Sequence, residues 1–311
     1  MFAIEAKELT KTYGDLTVVD HLNLQIPENV VFGLLGPNGA GKTTTILMLF
    51  GMTEPTSGMA RVAGFDSTRE PLKVKRIAGY MPEKVGFYDN LTARENLDLI
   101  AQLNQIGYRE SQDRINELLK VVGLSDVADK QVGKFSRGMK QRLGIADVLI
   151  KNPKVAFLDE PTAGLDPDGI FHILELLGNL PKKMGTTVIM SSHRLYEVQR
   201  ICQRFAILAK GKIVVEGDLN EVGRRALAGG RFRIEVETGE QPAPELVEAI
   251  QKVPGVTGVE ARGNTLVVSA ESDLRKELSR VVVAKDCPLV QIKIQEFSLD
   301  DIYMKYFHEA E

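Results

Sequence analysis

The strongest chemical signal in the sequence is Gly36-Pro37-Asn38-Gly39-Ala40-Gly41-Lys42-Thr43. Glycines at this spacing let backbone N–H groups converge on phosphate oxygens, and a helix opening directly afterwards adds its favourable dipole. Lys42 is placed to reach the outer phosphates, and the Thr43 hydroxyl to bind Mg²⁺. The loop predicts a nucleoside triphosphate but does not by itself choose among kinase, GTPase, helicase and transporter motor. Two further groups of reactive residues close apolar runs. Val155-Ala156-Phe157-Leu158 ends in Asp159-Glu160, and Thr187-Val188-Ile189-Met190 ends in Ser191-Ser192-His193. Asp159 can hold a Mg²⁺ shell, and Glu160 can polarise an attacking water.

These residues need elements to hold them. Val30–Leu35 and the two runs above have no polar face, which suits strands buried on both sides, with chemistry at their C-terminal ends. Phe2–Leu9 and Leu22–Ile26 alternate and predict strands, and Thr44–Phe50 predicts the helix after the loop. Between about 88 and 152 the period becomes helical. Thr92-Ala93-Arg94-Glu95 is a capping box, Ile115, Leu118, Leu119 and Val122 share a face stopped by Gly123, and Met139–Ile150 ends at Asn152-Pro153. This is a helical subdomain inserted in an α/β domain. Phe205–Val215 predicts a hairpin around Lys210-Gly211, and Gly229-Gly230 a linker. The tail restarts with strand Arg231–Thr238, helix Pro244–Val253, strands Val256–Ala261 and Thr265–Ala270, helix Asp273–Ala284 and strand Leu289–Ile294. That order is ferredoxin-like. A final helix is expected at Ser298–Phe307. The expected domains are 1–225 and 231–311.

Composition removes several classes of function. The chain has 311 residues, 43% hydrophobic and 26% charged, with mean hydropathy −0.09. That is enough apolar content for two packed domains and too much for disorder. A formal net charge of −3 argues against non-specific nucleic-acid binding. No apolar run approaches the roughly 20 residues of a membrane span, and no signal peptide is expected. Cys202 and Cys287 stand alone, so neither a zinc site nor a disulfide framework follows, and a reducing cytoplasm fits. His21, His172 and His308 read as core or surface histidines; only His193 closes a buried strand.

Upstream of the acidic strand, one helix away, lies Phe135-Ser136-Arg137-Gly138-Met139-Lys140-Gln141-Arg142. With Gly79-Tyr80-Met81-Pro82-Glu83, Asp159-Glu160-Pro161, Ala163-Gly164-Leu165-Asp166 and His193, this ordered series over about residues 1–220 resembles the nucleotide-binding domain of ABC ATPases. The resemblance implies a P-loop α/β fold, ATP and Mg²⁺ as ligands, and ATP hydrolysis to ADP and phosphate. It implies that Tyr13 stacks on adenine and that Gly36, Pro37, Asn38, Gly39, Ala40, Gly41, Lys42, Thr43 and Thr44 cradle the phosphates and Mg²⁺. Glu83, where the family usually has glutamine, contacts Mg²⁺ or water and couples to a membrane partner. Ser136 and Gly138 bind the γ-phosphate held by a second copy, Asp166 organises that interface, and His193 bonds the γ-phosphate. Arg137 and Met139 depart from the commonest signature.

The resemblance also implies a head-to-tail dimer around two ATPs, with the membrane pathway in separate permease chains and the protein held at the inner face of the membrane. The signature, the Gly79–Glu83 segment and the closing Ser298-Leu299-Asp300-Asp301-Ile302-Tyr303 resemble ATPases of ABC-2-type exporters. Within that group, Tyr80–Tyr88 and Asp301-Ile302-Tyr303 are similar to ATPases of the copper-maturation transporters serving nitrous oxide reductase. A soluble ABC ATPase of repair or translation, which usually carries a coiled-coil insertion or a second cassette, and an importer motor are the alternatives. No nucleic-acid partner is expected. The C-terminal domain reads as a packing or dimerisation module, or else as a ligand sensor.

Overall fold

The computed structural model describes residues 1–227, 232–294, 299, 302 and 303, and divides into two units, Met1–Glu216 and Gly217–Glu311. The first opens with β1 (Phe2–Tyr13) and β2 (Leu16–Pro27), both longer than their alternating stretches predict. Next come β3 (Val31–Leu35), α1 (Lys42–Leu49), β4 (Ser57–Val62), β5 (Phe65–Asp66), α2 (Pro71–Ile77) and β6 (Ala78–Met81). The helical segment supplies α3 (Ala93–Leu103), α4 (Tyr108–Val121) and α5 (Arg137–Leu149). The unit ends with β7 (Val155–Leu158), α6 (Pro167–Met184), β8 (Thr187–Ser192), α7 (Leu195–Ile201), β9 (Arg204–Ala209) and β10 (Lys212–Gly217).

The runs without a polar face form the centre of a six-stranded sheet ordered β10-β9-β3-β8-β7-β6, and every residue of β3, β7 and β8 is buried. β3 pairs parallel with β8 and β9, and β7 parallel with β8 and β6. Successive side chains point to opposite faces, so neighbours enter different cores. Leu158 and Met190 pack with Leu97, Ile115, Leu143 and Leu177 on the helical side. Phe157 and Ile189 pack with Ile4, Leu9, Ile46 and Val62 under the antiparallel sheet β2-β1-β4-β5. Covered on both faces, β3 and β7 are apolar throughout and β8 is apolar from Val188 to Met190, the pattern legible in the sequence.

The helical insertion is held by local chemistry. Thr92 Oγ1 accepts from Glu95 N–H at 3.1 Å while Glu95 Oε2 accepts from Thr92 N–H at 2.7 Å, completing the expected capping box. α5 runs tight against β6: a Cβ at Gly144 would meet Met81 Sδ at 3.0 Å, and one at Gly79 would meet Val148 Cγ1 at 2.6 Å.

The second unit begins with α8 (Leu219–Leu227), followed by β11 (Phe232–Thr238), α9 (Pro244–Gln251), β12 (Val256–Arg262), β13 (Thr265–Ala270), α10 (Arg275–Ala284) and β14 (Leu289–Ile294). Its sheet order, β12-β13-β11-β14, is antiparallel in each pairing, the ferredoxin-like arrangement. Ile234, Val236, Leu266 and Val268 pack against Leu246 and Ile250 of α9 and Leu278 and Val282 of α10. The Gly229-Gly230 linker and most of the helix expected at Ser298–Phe307 lie outside the described residues.

Candidate nucleotide-binding site

β3 delivers the chain into the glycine loop and α1 takes it away. α1 starts at Lys42, two residues before the apolar pattern predicts, with Gly41 as its N-cap at φ 100°. Two glycines are fixed by close approach: a Cβ at Gly36 would lie 2.5 Å from the Leu208 carbonyl oxygen, and one at Gly41 would lie 2.6 Å from that of Val18. The same Val18 oxygen stands 2.7 Å from a Cβ built on Gly211, in the turn between β9 and β10. Gly211 N–H also donates to the Ala40 carbonyl at 3.3 Å. The loop is therefore wedged between a hairpin and the β2 backbone.

Pro37–Thr44 line a cavity of about 180 Å³ together with Val18, Glu83 and Glu160. Lys42, 6% exposed, sends its ammonium to the Gly36 and Pro37 carbonyls at 2.7 and 3.2 Å. The cation also lies 3.4 Å from Glu160 Oε1, an oxygen with no hydrogen-bond donor of its own. A buried ammonium at a helix N-terminus, beside glycine amides, suits an anion.

The buried strands end at this cavity. Thr43 Oγ1 donates to Asp159 Oδ2 at 2.7 Å, and Ser191 Oγ donates to Asp159 Oδ1 at 2.5 Å. Ser191 Oγ in turn accepts from the Glu160 N–H at 2.9 Å. Glu160 sits at φ 47°, a strained conformation for a non-glycine residue, and such strain collects at functional sites. Its Oε2 meets His193 Nδ1 at 2.9 Å. The histidine is 44% exposed and its carboxylate partner 11%, so the pair spans the boundary between protein and solvent. Beside them, burial pushes the Tyr80 phenol up to about 12, with the Asp159 charge adding to the effect.

The hydroxyl of Thr43 and the carboxylate of Asp159 are hard oxygen donors brought together, and this set suits Mg²⁺, which takes few protein ligands and completes its shell with phosphate oxygens and water. Among the described residues no cluster of three or more His, Cys, Asp or Glu exists to form an all-protein metal cage.

The other expected residues are placed elsewhere. Tyr13 ends β1, half exposed, with the Lys11 ammonium 4.9 Å from its ring centroid, and it does not line the cavity. Ser136 caps α5, accepting from Met139 N–H at 3.2 Å, and the nearest atom to a Cβ on Gly138 is Leu165 Cδ2 at 3.7 Å, leaving that helix end open. Asp166 caps α6, accepting from Gly169 N–H at 3.1 Å. The exposed Arg137 lies over Gly164, where a Cβ would fall 2.0 Å from its guanidinium. Sequence reasoning gave no role to Ser191, Thr162, Glu197 or Gln141. Ser191 was signalled by its place at the end of β8; Thr162 and Glu197 are polar residues that only the fold shows to be buried.

This geometry has known counterparts. The ABC transporter family model matches residues 19–163. The chain is 36% identical over 303 residues to a bacitracin transport ATP-binding protein of Bacillus licheniformis, covering 97% of this chain and 96% of that protein. This chain belongs to the ABC transporter ATP-binding proteins. The subunit is also 33% identical over 309 residues to a daunorubicin resistance ATP-binding protein of Streptomyces coeruleorubidus, covering 98% and 94% of the two chains. Among solved structures, an ATP-binding subunit of an ABC transporter superposes with TM-score 0.65 at 31% identity, over 72% of this chain and 92% of that one. A dimeric ATP-binding cassette in a post-hydrolysis state, bound to ADP and phosphate, gives TM-score 0.64 at 28% identity, over 70% and 98%. The subunit is thus an ATPase of the exporter group, and among the described residues no helix is long and apolar enough to cross a membrane.

Proposed function

We propose that this ATPase subunit drives export of an amphiphilic antibiotic-like compound through separate permease chains at the inner face of the membrane. Relatives named for bacitracin transport, daunorubicin resistance and linearmycin resistance, each aligned over nearly its whole length, support the exporter reading. The observation that carries the mechanism is the contact chain Lys42–Glu160–His193 at the mouth of the glycine loop.

In this reading the Gly36–Thr44 backbone and the Lys42 ammonium hold the phosphates of ATP, and Tyr13 packs on the base. Thr43 and Asp159 would hold Mg²⁺, with Glu83 facing it or a bound water; the ion supplies charge neutralisation on the phosphates. Glu160 holds a water in line with the terminal phosphorus and takes its proton as the P–O bond to ADP breaks. His193 leaves Glu160 to donate to the terminal phosphate. Ser136 and Gly138 of one copy close on the γ-phosphate bound by the other, with Asp166 between the copies, so ATP joins two subunits and hydrolysis parts them.

Glu160→Gln tests this. In the complex with its membrane partner, phosphate release falls about a thousandfold while ATP stays bound, and the subunits remain paired by light scattering. Release at the wild-type rate overturns the assignment.

A further inference from the structure

Glu197 takes no part in the steps above, yet it is among the most deeply buried charged groups in the first unit, with no exposed surface. It lies in the first turn of α7. An acid there is ordinarily explained by the helix dipole or by capping of backbone N–H groups. The main hydrogen bonds of this carboxylate are different: they come from side chains in the loop after β7 and at the last residue of β8.

Oε1 accepts the Thr162 hydroxyl at 2.7 Å, and Thr162 lies two residues beyond Glu160. Oε2 accepts the Ser192 hydroxyl at 2.8 Å, and Ser192 immediately precedes His193. Thr162 is 1% exposed and Ser192 0%. Arg194 and Tyr196 each approach Oε1 at 3.3 Å, so the charge is partly balanced from the His193 side. Burying a carboxylate is costly, and an apolar side chain would fill the same space at less expense. What the carboxylate adds is a fixed distance between the loop bearing Glu160 and the loop bearing His193. Those two side chains meet at 2.9 Å.

We propose that Glu197 is a positioning residue: its two oxygens clamp the loop after β7 to the end of β8 in the register that brings Glu160 and His193 together. The inference rests on the assignment of that pair above. A clamp of this kind affects turnover more than nucleotide affinity, because the phosphate loop lies outside it.

The test uses the full chain with its membrane partner, reading ATP turnover and the affinity for a fluorescent ATP analogue. Glu197→Asp keeps the charge but is one methylene too short to reach both hydroxyls. It lowers kcat about tenfold to a hundredfold and leaves Kd within about threefold. Glu197→Gln keeps the span, since the hydroxyls can reverse donor and acceptor roles, and restores kcat to within about threefold of wild type. In a His193→Ala background Glu197→Asp costs less than about a further twofold, because it acts through the residue already removed. Thr162→Val, which cuts one tie at nearly constant volume, behaves like Glu197→Asp in both backgrounds and decides the matter if Glu197→Asp fails to fold. An undiminished kcat, a loss just as large in the His193→Ala background, or a Kd that weakens in step with kcat overturns the clamp alone. Wild-type turnover by His193→Ala itself overturns both the assignment of the pair and the clamp.

Discussion

The two units of this protein bury different kinds of residue. In the first unit, Lys42, Asp159, Glu160, Glu197, Gln141, Thr162, Ser191 and Ser192 are all buried around the C-terminal ends of parallel strands. In the second unit, among the described residues, the buried polar side chain is Thr238, whose hydroxyl lies 2.7 and 2.8 Å from the Glu240 and Asn264 carbonyls. The second unit's sheet turns Ile234, Val236, Leu266 and Val268 onto its helices, and its energetics are those of apolar burial. The first carries charges in places where apolar residues would be cheaper. A fold that needs only to pack does without such charges; one that must hold an anion and move a proton keeps them.

The contrast can be broken most sharply at Lys42. Lys42→Ala removes the buried cation of the glycine loop, and ATP affinity measured by titration falls by about 4 kcal/mol, close to a thousandfold. An unchanged affinity would mean that this buried charge is structural, like the apolar core of the other unit. Next in size is Leu278→Ala in α10, fully buried in the second core. It costs about 2–4 kcal/mol, read as lost amide hydrogen-exchange protection in β11 and β13. The smallest effect sits inside the first unit but away from the site. Burial in α5 raises the Asp147 carboxyl from 3.8 to about 6, against an opposing pull from the Lys151 charge. Its folded value lies above the unfolded one, so stability declines as pH rises from about 4 to about 6, and the whole penalty is present above that. Asp147→Asn therefore stabilises the protein by about 1 kcal/mol near pH 7.5 and flattens that slope in denaturant titrations; the gain is held down because Lys151 loses its partner.

The glycine loop was legible because its requirements are written into residue type: Gly36 and Gly41 are crowded by carbonyl oxygens, and Lys42 reaches back to the Gly36 and Pro37 carbonyls. The strands that lead to Asp159-Glu160 and His193 were legible because burial on both faces makes Val155–Leu158 and Val188–Met190 unbroken apolar runs. β4 and β5 were not, since Ser57–Val62 follows neither period and is a strand only because β1 offers an edge to pair with. Ser136 and Asp166 could be named from the resemblance, but only the fold shows each as an N-cap. Glu197 was invisible because an acid in the first turn of a short helix is commonplace in sequence; its meaning comes from Thr162 and Ser192, 35 and 5 residues away along the chain.

The Val18 carbonyl crowds both Gly41 in the glycine loop and Gly211 in the turn of a hairpin. Any side chain at Gly211 must push the same oxygen that limits Gly41. For the history of the gene, the two positions are under one constraint: drift at a silent-looking turn is barred as firmly as drift in the glycine loop. Invariance there would record crowding rather than reactivity.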